Sequence, residues 1–542
     1  MQQIKDAGLI LLLALAVLLP QLAGYPLLEP DEARYVEIPR EMLASGNYVI
    51  PRLNDIIYLE KPPLFYWLQT LSIREFGIHE MALRFWNAFF AAFTCVMVYL
   101  TGSTLYNRKT GWLAAGLLFS GLLFFAMAHF ITLDMTFSAL LSSCLMSLLL
   151  AVNKTQDGSR SWFYLAYTFA ALAVLTKGLI GMLLPGAIFL LWLIATQQWA
   201  ILKRACIPTG VCLFLAITLP WHILAQQQVP QFFDFYILGQ QFLRYLTLAE
   251  DRYQPIWFFG VILFAGLMPW TYFALQAVAR QANQVRLSFK HYPTETFLLI
   301  WSALIFVFFS LSKSKLVPYI LPVLPPLMLL LSHDLLTHGR KTWEWVATLL
   351  TLVLAGAALA AFPWVSDHHL DAMLLASHRT VFYGLSGVCV LTVLLCLALN
   401  ISKKITASFL ALAAGTLLAF SAAIPLASQI SDRSIKPLAE IIRAQEGQFD
   451  ELVSFRRYFQ DLPVYTEQIV TVVDRKGELD FGMSLEDKTD HMISYATFKQ
   501  RWNAEGYRML VVTSKDNYLK YFAADPKTQL LGSTTRYVLI GN

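Results

Sequence analysis

A chain of 542 residues that is 57% hydrophobic and only 14% charged, with a mean hydropathy of +0.54, lies outside the usage of soluble domains and needs lipid as its solvent. The formal net charge is +5, with Lys and Arg scattered through loops instead of gathered in a stripe, which argues against nucleic acid as a partner. Cys95, Cys144, Cys206, Cys212, Cys389 and Cys396 fall in or beside apolar stretches without zinc or disulfide spacing, and read as helix-packing residues.

The segment from Met1 to Leu28 carries Lys5 and then a long apolar run with no small-residue cleavage site, so it reads as an uncleaved first helix. With roughly 20 apolar residues to a span, candidates lie at 7–28, 82–103, 111–128, 131–151, 161–176, 178–196, 205–226, 256–276, 295–312, 316–332, 342–361, 380–400 and 404–424, thirteen in all. Alternate loops hold Arg108 and Lys109, Lys154 and Arg160, Lys203 and Arg204, Arg280 with Arg286 and Lys290, Arg340 and Lys341, then Lys403 and Lys404. Short cytoplasmic loops collect such cations, so this series and the N-terminus are expected in the cytoplasm. An odd number of spans sends everything after 425 to the opposite, non-cytoplasmic side.

The opposite series of loops contains the unusual residues: a long loop at 29–80, a second at 227–254, and short ones near Asp134, Lys177, and Lys313 with Lys315. Lysines on the disfavoured side near the membrane surface suit an anionic ligand, although snorkelling to headgroups is the plain alternative for each alone. In the first loop, Arg34, Glu37, Arg40 and Glu41 recur at helical spacing, which predicts an amphipathic interfacial helix over Asp31–Ser45 that stops at Gly46. A second helix is expected after Pro63, through Phe65, Tyr66, Trp67 and Leu68. From Ser428 the composition turns soluble, with strands expected at 451–455, 468–473, 508–513 and 536–540 and a helix at 437–444. The expected architecture is a polytopic all-α membrane domain over 1–425 and a small α/β periplasmic domain over 426–542.

The densest polar constellation is Glu29-Pro30-Asp31-Glu32-Ala33-Arg34-Tyr35, followed by Tyr58-Leu59-Glu60-Lys61-Pro62-Pro63. A carboxylate where helix one meets water could deprotonate a hydroxyl, position an amine or bind a divalent cation, or simply pair with Arg34 to pin the loop. Glu60 and Lys61 carry a functional and a structural-turn reading. Lys177, Lys313 and Lys315 stand at helix ends beside small residues, and Arg244 adds a planar two-pronged donor. Such cations suit a lipid phosphate and the charge that grows on it as a glycosidic bond breaks.

The segments Pro30-Asp31-Glu32-Ala33-Arg34-Tyr35, Arg40-Glu41-Met42-Leu43-Ala44-Ser45-Gly46, Glu60-Lys61-Pro62 and Lys313-Ser314-Lys315-Leu316-Val317-Pro318-Tyr319-Ile320-Leu321-Pro322 resemble the bacterial aminoarabinose transferases that modify lipid A. Those are C-type glycosyltransferases related to the protein O-mannosyltransferases, with thirteen transmembrane helices and a periplasmic C-terminal domain. Lys476-Gly477-Glu478-Leu479-Asp480-Phe481-Gly482-Met483 is similar to a segment of that domain. The resemblance implies an inner-membrane enzyme whose donor is undecaprenyl phosphate carrying 4-amino-4-deoxy-L-arabinose and whose acceptor is a lipid A phosphate, with membrane lipids around it. It further implies donor-phosphate contacts from Lys61, Arg244 and Tyr319, with Asp31 and Glu60 near the sugar and Asp134 at a further acidic position. Arg34, Tyr58, Lys177, Lys313 and Lys315 complete the candidate binding set. The cofactor expectation is limited to a divalent metal ion, with Glu60 as its candidate ligand. Where many members carry Glu-His before the arginine, this chain has Gln240-Gln241, which removes two metal-ligand types there. A transporter is the rival class, and it is disfavoured because no internal repeat relates the halves and the charges gather on one face instead of at the midplane.

Overall fold

The structure is a computed structural model that describes residues 1–154, 156–243, 254–339, 341–365, 372–431, 434–474 and 477–542. The chain divides into two compact units, one of Met1–Gln21 with Trp86–Leu426, the other of Leu22–Phe85 with Ala427–Asn542. The long first loop therefore belongs with the tail, where composition alone had grouped it with the membrane helices.

Each of the thirteen apolar stretches contains helix among its described residues, although the first leaves the helical state after Gln21. By length and composition, nine described helices can cross a membrane, or eleven when each of two bent pairs counts as one crossing. Ile180–Thr196 is shorter, and Gln156–Lys177 carries polar residues at both ends. The bends are 69° between Arg108–Phe119 and Leu122–Ala128 and 112° between Phe258–Gly266 and Thr271–Leu287. A broken helix frees backbone donors and acceptors that lipid cannot satisfy, and here the two breaks serve each other. Leu122 N donates to Met268 O at 3.0 Å, and Trp270 Nε1 donates to Ser120 Oγ at 3.0 Å.

Leu133–Asn153 is the innermost helix, with 94% of its apolar window buried, whereas Ile207–Gln228 and Ile405–Ile424 bury only 17% of theirs. Leucines and isoleucines left exposed on those outer helices are what a lipid-facing surface requires. The six cysteines are free, and Cys95, Cys144, Cys389 and Cys396 are buried among helices.

The second unit is built on a six-stranded sheet in the order β5-β4-β3-β6-β8-β7, where β3 is Glu451–Phe455, β4 Thr471–Val473, β5 Met492–Ile493, β6 Met509–Ser514, β7 Gln529–Ser533 and β8 Tyr537–Gly541. The first four are mutually parallel, and β8 and β7 are antiparallel additions. Strands β3, β6 and β8 are buried on consecutive residues because both sheet faces are covered. Val453, Phe455, Val511, Val538 and Ile540 fill one face together with Phe498, Trp502 and Phe522.

The first-loop residues contribute a hairpin of β1 (Arg52–Leu53) and β2 (Ile56–Ile57). Its two turn residues, Asn54 and Asp55, have φ of 54° and 56°, the left-handed pair that a tight two-residue hairpin needs. Glu41 accepts from both turn N–H groups. Asn54 exchanges two hydrogen bonds with Val470 at 2.9 and 3.0 Å, and Arg52 and Lys488 form ion pairs with Glu486 and Asp55. Helix Asp31–Ser45 has the predicted limits and ends on Gly46 with φ 69°. Ten of its fifteen residues are buried, packed against helix Leu64–Phe76 and helix Asp461–Thr466 of the tail.

Candidate active site

The second unit places Asp31, Arg34, Tyr58 and Glu60 in one cluster. Asp31 stands in the first helical turn, half-exposed, 3.8 Å from the Arg34 guanidinium. Arg34 is nearly buried and also meets Glu478 at 3.2 Å and Gln460 at 3.3 Å, while Gln460 in turn donates to Glu478. Burial, and after it the charge of Glu60, pushes the Tyr58 hydroxyl well above the ordinary phenol range. Tyr66 is pushed the same way by burial and then by Tyr35. Both phenols thus stay neutral O–H donors, and the Tyr66 hydroxyl has no partner among the described residues. Glu60 and Lys61 are half-buried at the turn before the second loop helix.

Glu32 has a different task. Its carboxylate is fully buried against Arg84, which donates to both its oxygens at 3.0 and 2.6 Å. Arg84 also donates to the carbonyls of Leu22, Tyr25 and Pro26 and lies over the Tyr25 ring at 3.7 Å. Leu28 N donates to Glu32 at 2.8 Å. This knot fixes the start of the Asp31 helix and commits Glu32 to a structural pair, while Asp31 stays half-exposed.

The first unit brings together Asp134, Lys177 and Tyr319. Lys177 is the last residue of its helix. Gly178 follows at φ +91°, and at Gly181 a side chain would lie 2.6 Å from the backbone of Ala173 and Val174. Only glycines allow so close a return, and the return holds Lys177 at the tip of the helix pair. Its ammonium, 9% exposed, pairs with Asp134 and lies 3.9 Å from the centre of the Tyr319 ring. Tyr319 is carried by a short 3-10 segment, Val317–Val323, that Pro318 starts.

Near Lys177 runs an apolar groove of about 420 Å³, lined by Val174, Met182, Phe214, Leu219, His222 and Phe232 among others. The chain beyond it forms a π-helical stretch, Phe233–Leu243, a winding frequent at functional sites. Arg244 lies outside the described residues.

The remaining expectations divide. Lys313 is exposed. Lys315 is buried, and its ammonium is tied to the carbonyls of Gln254 and Ser312, a contact that closes a loop instead of presenting a cation. No group of three or more His, Cys, Asp or Glu able to hold a metal ion is found among the described residues. Tyr66, Gln460 and Glu478 were not singled out by sequence reasoning. The only signals were an aromatic position after a Pro-Pro turn and a tail segment similar to a family motif.

Comparison with known proteins agrees with this architecture. Residues 60–224 match the family model of dolichyl-phosphate-mannose-protein mannosyltransferases, and residues 438–542 match that of the aminoarabinose transferase C-terminal domain. The undecaprenyl phosphate-alpha-4-amino-4-deoxy-L-arabinose arabinosyl transferase of Enterobacter sp. (strain 638) is 30% identical over 70% of this chain and 71% of its own length. A second enzyme so named, from Pseudomonas fluorescens (strain Pf0-1), is 31% identical over 69% and 68%. The crystal structure of ArnT from Cupriavidus metallidurans bound to undecaprenyl phosphate superposes with a TM-score of 0.88 at 26% identity, covering 99% of this chain and 98% of that one. The helical unit with its α/β companion is thus a C-type glycosyltransferase fold, and the chain belongs to the family of undecaprenyl phosphate-aminoarabinose arabinosyl transferases.

Proposed function

We propose that this enzyme transfers 4-amino-4-deoxy-L-arabinose from undecaprenyl phosphate to a phosphate group of lipid A, at the periplasmic face of the bacterial inner membrane, with its N-terminus cytoplasmic and its tail periplasmic. The observation that carries the reading is the superposition over nearly the whole chain on an ArnT crystallised with undecaprenyl phosphate. In this reading Lys177, Arg244 and Tyr319 hold the donor phosphate and stabilise the charge that builds on it as the anomeric bond breaks. Asp134 keeps the Lys177 ammonium oriented. The apolar groove beside Lys177 takes part of the polyprenyl chain.

Asp31 and Glu60 act on the sugar. A phosphate acceptor is already anionic at neutral pH, so it needs little help from a base. Asp31 then orients the sugar or its amine and offsets positive charge on the oxocarbenium-like ring. The match to mannosyltransferases over 60–224 favours one second reading, transfer to a hydroxyl, in which Asp31 is the general base.

The test is the lipid A mass spectrum of cells with and without the gene, read for a pentosamine increment. Asp31→Asn separates the two acceptor classes. A phosphate-directed enzyme should retain measurable turnover, whereas loss of a general base removes about 100- to 10,000-fold. Near-complete loss with donor binding intact would favour the hydroxyl acceptor.

A further inference from the structure

The second unit contains a cavity of about 490 Å³ whose wall includes Arg34, Arg456, Arg457, Tyr458, Glu29 and Glu478. Its place in the sheet follows a general rule. The parallel strands lie in the order β5-β4-β3-β6, so the chain leaves β3 for one side while β6 flanks the other. Ligands of open α/β sheets bind outside the carboxyl ends of the strands, at such a reversal. Arg456 and Arg457 directly follow Phe455, the last residue of β3.

Two local features fit a site and not a mere corner. Arg456 is held in the left-handed region at φ 56°, a conformation that disfavours side chains other than glycine and marks backbone held for a purpose. Tyr458 is 8% exposed, and its hydroxyl has no hydrogen-bond partner among the described residues. A buried hydroxyl left unsatisfied destabilises the fold unless a ligand completes it.

The charges define the ligand. Arg456 gives one amino group to Asp474 at 3.3 Å, with its flat face toward Tyr521 at 4.6 Å. Arg457 gives one to Glu29 at 2.5 Å. Each guanidinium has five N–H donors, so both retain an edge able to take two phosphate oxygens. Glu29, Glu478 and Gln460 on the same wall are acceptors for sugar hydroxyl or amino groups. We infer that this cavity binds a phosphorylated saccharide headgroup, the phosphate on Arg456 and Arg457 and the sugar against Gln460, Glu478 and Tyr458. It is then the acceptor subsite, a step that rests on the proposed transfer to a lipid A phosphate.

The experiment uses the full chain in detergent micelles, titrated with glucosamine 1-phosphate, inorganic phosphate and glucosamine, with binding read by calorimetry. Glucosamine 1-phosphate should bind at least about tenfold more tightly than either fragment, and Arg456→Gln/Arg457→Gln should lose about tenfold or more of that affinity, as expected for charge-assisted hydrogen bonds. Tyr458→Phe removes only the unpartnered hydroxyl and should weaken the probe several-fold, about the worth of one hydrogen bond, with the thermal midpoint unchanged or raised. In turnover, both variants should raise KM for the acceptor and leave KM for the donor within about twofold.

Equal probe binding by wild type and all variants overturns the inference. So does inorganic phosphate binding as tightly as the sugar phosphate, or a rise in donor KM equal to that of the acceptor. Should the wild type transfer no sugar to lipid A while the probe still binds with this variant pattern, the proposed function falls and the saccharide-phosphate site stands.

Discussion

Replacement of Arg84 by Met tests the claim that a buried ion pair sets the position of Asp31. Both Arg84 and Glu32 are fully buried. The substitution strands the Glu32 carboxylate and takes donors from the carbonyls of Leu22, Tyr25 and Pro26. Removing one partner of such a pair costs about 3–5 kcal/mol. For a unit of this size roughly 2–4 °C is lost per kcal/mol, so the midpoint should fall by about 6–20 °C. Glu32→Gln leaves Arg84 its three carbonyls and should cost less. The double variant Arg84→Met/Glu32→Leu removes both charges at once and should fall short of the summed single losses by at least about 1 kcal/mol. The assay is thermal unfolding of the purified protein in detergent, followed by near-ultraviolet circular dichroism. Additive losses, or a midpoint for Arg84→Met within about 2 °C of wild type, would refute the reasoning.

Tyr319→Leu removes the ring that Lys177 faces at 3.9 Å and should raise KM for the donor about 2- to 30-fold, the worth of a cation–π contact. Tyr319→Phe keeps the ring, so a loss as large as that of Tyr319→Leu would move the role from the ring to the hydroxyl. Asn54→Ala breaks the hairpin's paired bonds to Val470 and should cost about 1–3 kcal/mol, seen as faster proteolysis between residues 46 and 57; an unchanged cleavage rate counts against the docking role. Burial, and after it the charge of Glu29, raises the Asp461 carboxyl well above the usual range. A raised native value means its favourable contribution is complete below the unfolded value, about 3.9, and is lost as pH rises through the native one. Asp461→Asn should therefore gain stability relative to wild type as pH rises, and a difference in melting midpoint that stays flat with pH is the opposing result.

The helices of the first unit were legible because lipid makes a simple demand: a run of apolar residues must satisfy its own backbone. Every apolar stretch obeyed it. The 112° break at Met268–Thr271 was not legible, because the freed Met268 carbonyl and the Trp270 indole are answered by Leu122 and Ser120 from another part of the chain. Helix Asp31–Ser45 was legible in its limits, from its charge spacing and Gly46. Its burial was not, since the covering residues come from the tail. In the sheet, β3, β6 and β8 were found from short runs rich in apolar residues, such as Leu510–Val512 and Tyr537–Ile540. β5, with two residues, and β7, which is largely exposed, gave no comparable signal. Of the candidate residues, Asp31, Arg34, Tyr58 and Glu60 of the second unit and Lys177 of the first could be named from type and place, and Tyr319 only from the family resemblance. Tyr66 could not, because an unsatisfied hydroxyl is a property of packing.

The hairpin at Arg52–Ile57 is stitched to Val470 and Glu486 by bonds that only the last part of the chain can supply. A ribosome finishes residues 22–85 long before it reaches them, so the acidic segment leaves the translocon with its partners unmade. The hairpin consequently stays unsupported until that last part of the chain has been made. A message cut short upstream of residue 470 yields a chain whose hairpin has neither partner.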